Sequence, residues 1–473
     1  MRISAIDLAI ILVYLTGITL FGVWFRRSQH SLRDYFLGGR SAPWWAIASS
    51  LVATETSTLT IIGTPAIAYD GNLGFLQLVL GYLVARVILC VVLVPQYFQG
   101  EFYTAYQLLE KRFGARIRRS AAVVFMVTRT LAEGVRIAAI GKVVSVAFST
   151  GERSSIAIVA ALTVLYTFEG GLRAVIWTDV VQLALYLTGS LVAFFLLLHK
   201  IPGGWPTVVR VAALGGDKLR IFDFTYSLTR SYTFWSGLLG GTFLTMASHG
   251  TDQTMVQRLL AARSESDGKK ALLASGFVIF VQFALFLVLG VMLFVYAQHA
   301  WLPVAGGDSD RIFPEFIVRE MPMGVTGLVL ASIFAVAMSN ASGSLNSLAS
   351  SSMIDLGGNL AAHSSAQQLE RSRYATLAWG LVLGALGLAH WGHVLEAGLT
   401  VASITYGGLL GVFLLGSWNP RANQTGAVIG LIVGIASMIA VWRFTPLAFT
   451  WYVLVGTFIT FSIGSVASFF SSG

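Results

Sequence analysis

The sequence predicts an all-α protein that crosses a membrane many times, and two bulk properties and one recurring pattern support this prediction. Only 11% of its 473 residues are charged, whereas soluble domains carry roughly 25%. Hydrophobic residues make up 56% of the chain. Apolar runs of about 20 residues recur from end to end, and each could cross about 30 Å of hydrocarbon as a helix.

We expect about 13 helices, separated by polar loops or loops that contain Gly and Pro. Two loops are long, at 199–222 and 298–322, and the second is expected to hold a short surface helix. Lys and Arg are richer in the short loops of one side, which places the N-terminus outside and the C-terminus inside. The predicted helices lie at 5–26, 43–69, 73–98, 117–148, 154–168, 174–199, 233–257, 271–298, 324–355, 374–389, 396–417, 424–442 and 446–469.

Several other classes of protein are excluded. The net charge of +9 does not indicate nucleic-acid binding, because the basic residues lie between the apolar runs. Cys90 is the only cysteine, so no disulfide can form within the chain. We find no phosphate-binding loop and no metal-ligand spacing beyond His390 and His393. We therefore expect neither an enzyme nor an ATP-driven pump. The expected surroundings are the lipid bilayer, and no obligatory protein partner is evident.

Four basic residues fall inside the predicted helices: Arg86, Arg129, Arg136 and Lys142. Charge inside a membrane is costly, so such residues are functional candidates by default. Arg86, Arg129 and Lys142 could instead reach the membrane surface or pair locally. His249, also within a helix, is interpreted as a packing residue with satisfied hydrogen bonds.

The run Ala53–Thr60 places one acid and five hydroxyls at the centre of the second predicted helix. Such a helix can break only where its freed backbone faces protein or a water-filled cavity. Broken helices of this kind expose carbonyls that can bind a sodium ion. Hydroxyls alone would favour a helix whose Ser and Thr side chains bond back to the preceding turn and pack against a neighbour, but Glu55 reverses this in favour of a functional site.

A second polar stretch, 335–356, lies in a late helix. Its Ser339, Ser342, Asn346 and Ser350 are spaced three and four apart and share one face. Hydroxyl and carbonyl oxygens suit a hard cation. The alternative interpretation is a seam of small residues packed between helices.

Two further stretches carry acids. In 166–187, Asp179 shares a helical face with Gln182, although a solvated position near the membrane surface is an alternative. In 250–263, Asp252 and Arg258 are interpreted as a cytoplasmic pair or gate.

Taken together, these stretches resemble the sodium/solute symporter family, whose members include sodium–glucose, proline, pantothenate and sialic acid symporters. The resemblance runs from about residue 5 to 470 and matches the 13-helix branch. The motifs that carry it are DYFLGGR (34–40), PWWAIASSLVATETSTLTIIG (43–63), GVRIAA (134–139), GGLRAVIWTDVVQ (170–182), GTDQTMVQRLLAA (250–262) and AVAMSNASGSLNS (335–347).

This resemblance implies the leucine-transporter fold within a single transporter domain, 1–473. A leading helix at 5–26 would precede two inverted repeats of five helices each, at 43–199 and 233–417. Two peripheral helices would follow at 424–469. The first helix of each repeat would be unwound near the midplane, at Ala53–Thr60 and at Gly240–Gly241.

The resemblance also implies a sodium site. Its ligands would be the carbonyls of Ala53, Thr56 and Val336 and the hydroxyl of Ser339. Where the family usually has a second Ser or Thr, this chain has Asn340, whose side-chain oxygen could still bind the ion.

A second sodium site is found in some members of the family, and it uses residues that match Asp179 and Ser342. The next residue here is Gly343, which weakens that site.

For the solute, the resemblance points to Arg136, which matches an arginine that contacts the substrate carboxylate in a sialic acid-transporting relative. Glu55 would pair with Arg136 or hold an amino group of the solute. The other residues expected at the cavity are Thr54, Ser57, Thr58 and Thr60.

These residues indicate a sodium-coupled symporter of the plasma or bacterial inner membrane that imports a small organic carboxylate or amino acid by alternating access. Symport of a sugar or polyol is the alternative. A solute sensor without net transport is less favoured, because such relatives carry appended signalling domains and this chain ends shortly after its last predicted helix.

Overall fold

The computed structural model describes residues 3–25, 30–148, 152–299, 309–357, 364–388 and 394–471. Some helical positions are described by their backbone alone: 138–139, 142, 144–148, 152–153, 155–170 and 394–401. The predictions for Lys142, His390 and His393 therefore concern residues whose side chains the structure does not describe.

The described residues are mostly helical. The helices are α1 (Ala5–Trp24), α2 (Leu32–Leu37), α3 (Trp44–Glu55), α4 (Thr58–Asp70), α5 (Leu76–Val92), α6 (Val94–Tyr97), α7 (Tyr106–Phe113), α8 (Ala115–Phe148), α9 (Glu152–Lys200), α10 (Gly204–Leu214), α11 (Gly241–Gly250), α12 (Gln253–Leu260), α13 (Glu265–Ala297), α14 (Ile312–Glu320), α15 (Val325–Ser351), α16 (Ser365–Gly387), α17 (Val394–Trp418), α18 (Gln424–Phe444) and α19 (Tyr452–Phe470).

Each predicted helix overlaps one of these helices, part of one, or a consecutive group of them. The predicted helices 154–168 and 174–199 both fall within α9, which is interrupted where Gly171 has φ 59° and ψ −161°. The short helix expected in 298–322 is α14, whereas α10 in the loop 199–222 was not predicted.

Within the described part of the chain, seven helical segments are long and apolar enough to cross a membrane. The bent pair α3–α4 adds an eighth if it counts as one span. The seven segments are Ala5–Trp24, Leu73–Val92, Gly171–Lys200, Glu265–Ala297, Val325–Leu356, Gln424–Phe444 and Phe449–Phe470.

The helix α15 lies at the centre of the molecule. The most apolar part of its span is 89% buried, against 33% for α1, α18 and α19. It packs on α9, α1 and α8, and its Ser, Ala and Gly residues allow that close packing. The polar face of α15 is therefore enclosed by protein rather than exposed to lipid.

Candidate functional site

The site is built around the break between α3 and α4. Thr56 and Ser57 leave helical geometry, and the two helices meet at an angle of 63°. Ser57 caps α4 through reciprocal hydrogen bonds with Thr60. Because the Ser57 N–H donates to the Thr60 hydroxyl at 3.1 Å, it does not serve the Ala53 carbonyl as in a continuous helix. The predicted break in this helix is confirmed.

The freed backbone faces α15 and is satisfied there. The side-chain Nδ2 of Asn340 donates to the Thr56 carbonyl at 2.5 Å and to the Val336 carbonyl at 3.1 Å. The Thr56 hydroxyl is held from the other side by Gln282 (2.7 Å) and Tyr186 (3.2 Å). The structure thus brings together two of the carbonyls assigned to sodium.

Asn340 presents its nitrogen to these carbonyls, which differs from the expectation that its oxygen would serve as a ligand. Its Oδ1 instead accepts from Arg136 at 3.2 Å. The same guanidinium nitrogen of Arg136 lies 3.4 Å from Glu133. The predicted partnership of Arg136 with Glu55 is therefore wrong, because Glu133, one turn earlier in α8, is the carboxylate beside it.

The hydroxyl of Ser339 is oriented by a buried carboxylate. It donates to Asp179 at 2.6 Å, which leaves its oxygen lone pairs available to a cation. The other oxygen of Asp179 accepts from Ser50 at 2.5 Å and from Arg258 at 3.1 Å. Asp179 and Arg258 are both fully buried, so this is an internal ion pair.

This pair changes the expectation for a second sodium. The Ser342 hydroxyl bonds back to the Ser339 carbonyl at 2.9 Å. A Cβ atom at Gly343 would lie 2.6 Å from the Arg258 guanidinium, so the glycine makes room for that side chain. Arg258 therefore supplies a fixed positive charge beside Asp179, where the second sodium was expected. This contact also contradicts the cytoplasmic pairing expected for Asp252 and Arg258.

Glu55 forms a buried charged cluster with residues from two other helices. Its carboxylate contacts the Arg86 guanidinium and lies 3.4 Å from His249. Arg86 is 1% exposed and also bonds the Tyr82 carbonyl, so it neither reaches the membrane surface nor pairs within its own helix alone. By contrast, Arg129 does pair locally, with Glu133 at 3.6 Å.

We expect Glu55→Gln to destabilise the purified protein by about 3 kcal/mol, because it leaves the Arg86 charge buried without a counter-charge. The melting temperature in detergent would measure this. Glu265→Gln is a matched control, since Glu265 pairs with Lys269 at the surface and exposed pairs contribute about 1 kcal/mol or less. Equal losses of melting temperature in the two variants would contradict the role given to Glu55.

The second predicted break is displaced along the chain. Gly240 and Gly241 keep helical angles, at the end of a π-helical turn (Ser236–Gly240) and the start of α11. The helix breaks at Thr251 and Asp252 instead, between α11 and α12. The glycines serve close packing, because a side chain at either position would collide with backbone, that of Thr450 for Gly240 and of Leu78 for Gly241.

Asp252 therefore lies at a second helix break. Its carboxylate caps α12 by accepting from the Thr254 N–H at 2.8 Å, and it accepts from the Tyr406 hydroxyl at 2.8 Å. The Asp252 and Tyr406 side chains both line the cavity described next.

A cavity of about 170 Å³ lies between the two breaks and α8. Five of the predicted substrate residues line it: Thr54, Glu55, Ser57, Thr60 and Arg136. Thr58 is not among the lining residues and is 1% exposed. Sequence reasoning did not assign several of the other polar lining residues to the solute site: Thr64, Tyr82, Thr128, Arg129, Thr245, Ser248, His249, Asp252 and Tyr406.

Two broken helices that face one cavity lined by both polar and apolar side chains, with main-chain and hydroxyl oxygens beside it, define an ion-coupled membrane transporter. The profile of the sodium:solute symporter family matches residues 35–434, and the chain belongs to that family. It is a multi-pass membrane protein that carries out sodium-coupled symport, and it is not an enzyme.

Individual relatives agree with this assignment. The chain is 30% identical to the sodium/sialic acid symporter SiaT of Proteus mirabilis, over 98% of this chain and 95% of that one. It is also 30% identical to the human sodium/iodide cotransporter, over 90% of this chain and 68% of that one.

Solved structures give the same picture of the fold. A substrate-bound, outward-open sodium-coupled sialic acid symporter superposes with a TM-score of 0.92 at 28% identity, covering 99% of this chain and 98% of that one. The nucleobase–cation symporter Mhp1 shares the fold alone, with a TM-score of 0.62 at 12% identity over 94% of this chain and 95% of that one.

Proposed function

We propose that this symporter imports a small organic carboxylate together with one sodium ion by alternating access. The main support for this proposal is the position of Arg136. Its guanidinium lines the cavity, and one of its nitrogens contacts both Glu133 and Asn340. Its side chain is 23% exposed, so the planar donor group can reach a solute. A guanidinium suits a carboxylate because it can donate two parallel hydrogen bonds.

The charge balance of the cavity supports joint binding of anion and cation. Three arginines and three carboxylates at the cavity or in contact with its lining compensate one another: Arg86, Arg129, Arg136, Glu55, Glu133 and Asp252. A carboxylate alone would add an uncompensated negative charge to a buried site, which is costly. Sodium bound nearby removes that cost, so each ligand favours binding of the other.

The proposed sodium ligands are the carbonyls of Ala53, Thr56 and Val336 and the hydroxyl of Ser339. Support comes from the helix break, which frees backbone oxygens, and from Asp179, which accepts a hydrogen bond from the Ser339 hydroxyl and so orients its lone pairs. These ligands carry no net charge, which permits both binding and release. One sodium is proposed because Arg258 already compensates Asp179.

The proposed solute site lies between the broken helices, and the hydroxyls of Ser57, Thr60 and Ser248 suit a polyhydroxylated solute. A sugar acid combines such hydroxyls with a carboxylate, and SiaT of Proteus mirabilis is named for sialic acid. Five other relatives are named as monocarboxylate transporters, so a short monocarboxylate is the second probe.

The proposed topology has the N-terminus outside, the C-terminus in the cytoplasm, and inverted repeats at 43–199 and 233–417. The leading helix at 5–26 and the helices at 424–469 flank the repeats. Rocking of one repeat against the other would expose the site alternately to the two sides of the membrane.

Uptake into proteoliposomes tests the proposal, with an inward sodium gradient and sialic acid, propionate, glucose and iodide as solutes. We expect Arg136→Ala to reduce carboxylate uptake by at least about tenfold, since a charge-assisted hydrogen bond is lost. Arg319→Ala, which removes an arginine of α14 paired with Glu315, is the matched control and should leave uptake unchanged.

Three results would contradict the proposal. Unchanged carboxylate uptake by Arg136→Ala would remove Arg136 from the solute site. Sodium-driven glucose uptake by the wild type without carboxylate uptake would favour a sugar symporter. Binding without accumulation under the gradient would favour a sensor.

A further inference from the structure

The side-chain amide of Asn340 lies between the proposed sodium ligands and the proposed solute ligand. Its nitrogen donates to the carbonyls of Thr56 and Val336, and its oxygen accepts from Arg136. Asn340 is 2% exposed and sits in the middle of α15. One small planar group therefore contacts both halves of the site.

The partners of this amide fix its orientation. Arg136 has only donors, so it requires the amide oxygen. The two main-chain carbonyls have only acceptors, so they require the amide nitrogen. A turned amide would place donor against donor at Arg136 and oxygen against oxygen at Thr56 and Val336. It becomes favourable only when Arg136 has another acceptor and a cation lies among the oxygens.

This orientation is the one that opposes sodium binding. The Asn340 N–H group bonds the carbonyls of Thr56 and Val336, which sodium would need as ligands. A sodium ion requires oxygens around it, and here a hydrogen-bond donor occupies that position. The amide thus satisfies the freed backbone of the broken helix.

We propose that Asn340 is a latch that links solute binding to sodium binding, which rests on the proposed role of Arg136 as the carboxylate ligand. When a carboxylate engages Arg136, the guanidinium no longer holds the Asn340 oxygen. The amide then turns, withdraws its N–H from the two carbonyls and presents its oxygen to the cation. Solute therefore raises sodium affinity, and sodium raises solute affinity by the same factor.

Sodium titration of the purified protein without solute tests the latch. Sodium affinity is read from the sodium dependence of the melting temperature, because a ligand that prefers the folded state raises stability. We expect Asn340→Ser and Arg136→Ala each to bind sodium about tenfold more tightly than the wild type, since each removes a hydrogen bond that holds the latch closed. Asn340→Thr is a second variant at the same position.

A matched control lies on the same helix. Asn346→Ser makes the same substitution at a buried asparagine whose oxygen accepts from Gln257 at 2.8 Å, away from the break. It should leave sodium affinity as in the wild type. Weaker sodium binding by Asn340→Ser and Asn340→Thr, together with unchanged binding by Arg136→Ala, would overturn the latch and make Asn340 an ordinary ligand.

Adding sialic acid or propionate separates this inference from the proposed function. In the wild type the carboxylate should lower the sodium concentration needed for stabilisation, whereas in Asn340→Ser the carboxylate should bind with little further effect on sodium. Undiminished carboxylate binding by Arg136→Ala would contradict the proposed function. Full coupling in Asn340→Ser, with carboxylate binding lost only in Arg136→Ala, would overturn the latch and leave the function standing.

Discussion

Ser339→Ala is expected to abolish sodium-stimulated uptake. Its hydroxyl is the one side-chain oxygen among the four proposed sodium ligands, and the Asp179 carboxylate orients it at 2.6 Å. Because Ala supplies no oxygen, the site loses the one hydroxyl that is held ready for the ion. The measurement is uptake of radiolabelled solute into proteoliposomes with and without a sodium gradient.

The same substitution three residues further on serves as the control. The Ser342 hydroxyl bonds back to its own helix, so Ser342→Ala should retain sodium stimulation. Uptake by Ser339→Ala that still depends on sodium as in the wild type would show that Ser339 does not bind the ion.

Asp179→Asn is expected to lower stability by about 3–5 kcal/mol, because it leaves Arg258 as an unpaired charge in a fully buried site. Arg258→Met should cost a similar amount by leaving Asp179 unpaired. The double variant should regain much of the loss, since it removes both charges and roughly preserves volume. Melting temperatures of the wild type and the three variants measure the coupling.

Additive losses across the four proteins would contradict the ion pair, because residues in contact do not act independently.

The wild-type sodium dependence of uptake provides a second test. If Arg258 takes the place of a second sodium, the Hill coefficient for sodium should be one. Clear sodium cooperativity would contradict the assignment.

The positions of the helices were predictable because long apolar runs leave few alternatives. The first break was also predictable from its residues, since Ser57 and Thr60 can cap a new helix start. The partners of buried charges were not predictable, because Glu55 and Arg86 are 31 positions apart in the chain, with helix α4 between them. Contacts of that kind depend on how helices rotate against one another.

The second helix break was predicted at the wrong position for a specific reason. A glycine pair occurs both where helices break and where two helices approach closely. At Gly240–Gly241 the glycines allow neighbouring backbone to pack closely, and the helix does not break there. The observed break has a different sequence signal, the acid Asp252 directly before a new helix. The orientation of the Asn340 amide could not be read from sequence because it depends on Arg136 in another helix.

The arginine that lies over Gly343 and pairs with Asp179 has an energetic consequence for the whole cycle. An arginine that belongs to the chain returns with it in every cycle, so it carries no charge across the membrane. With the proposed stoichiometry of one sodium ion per monovalent carboxylate, the two would cross together with no net charge, and the voltage would supply no driving force for the loaded step. Accumulation would then be limited to the ratio of sodium concentrations on the two sides. Such a transporter would continue to import its solute in a depolarised cell as long as sodium is pumped out.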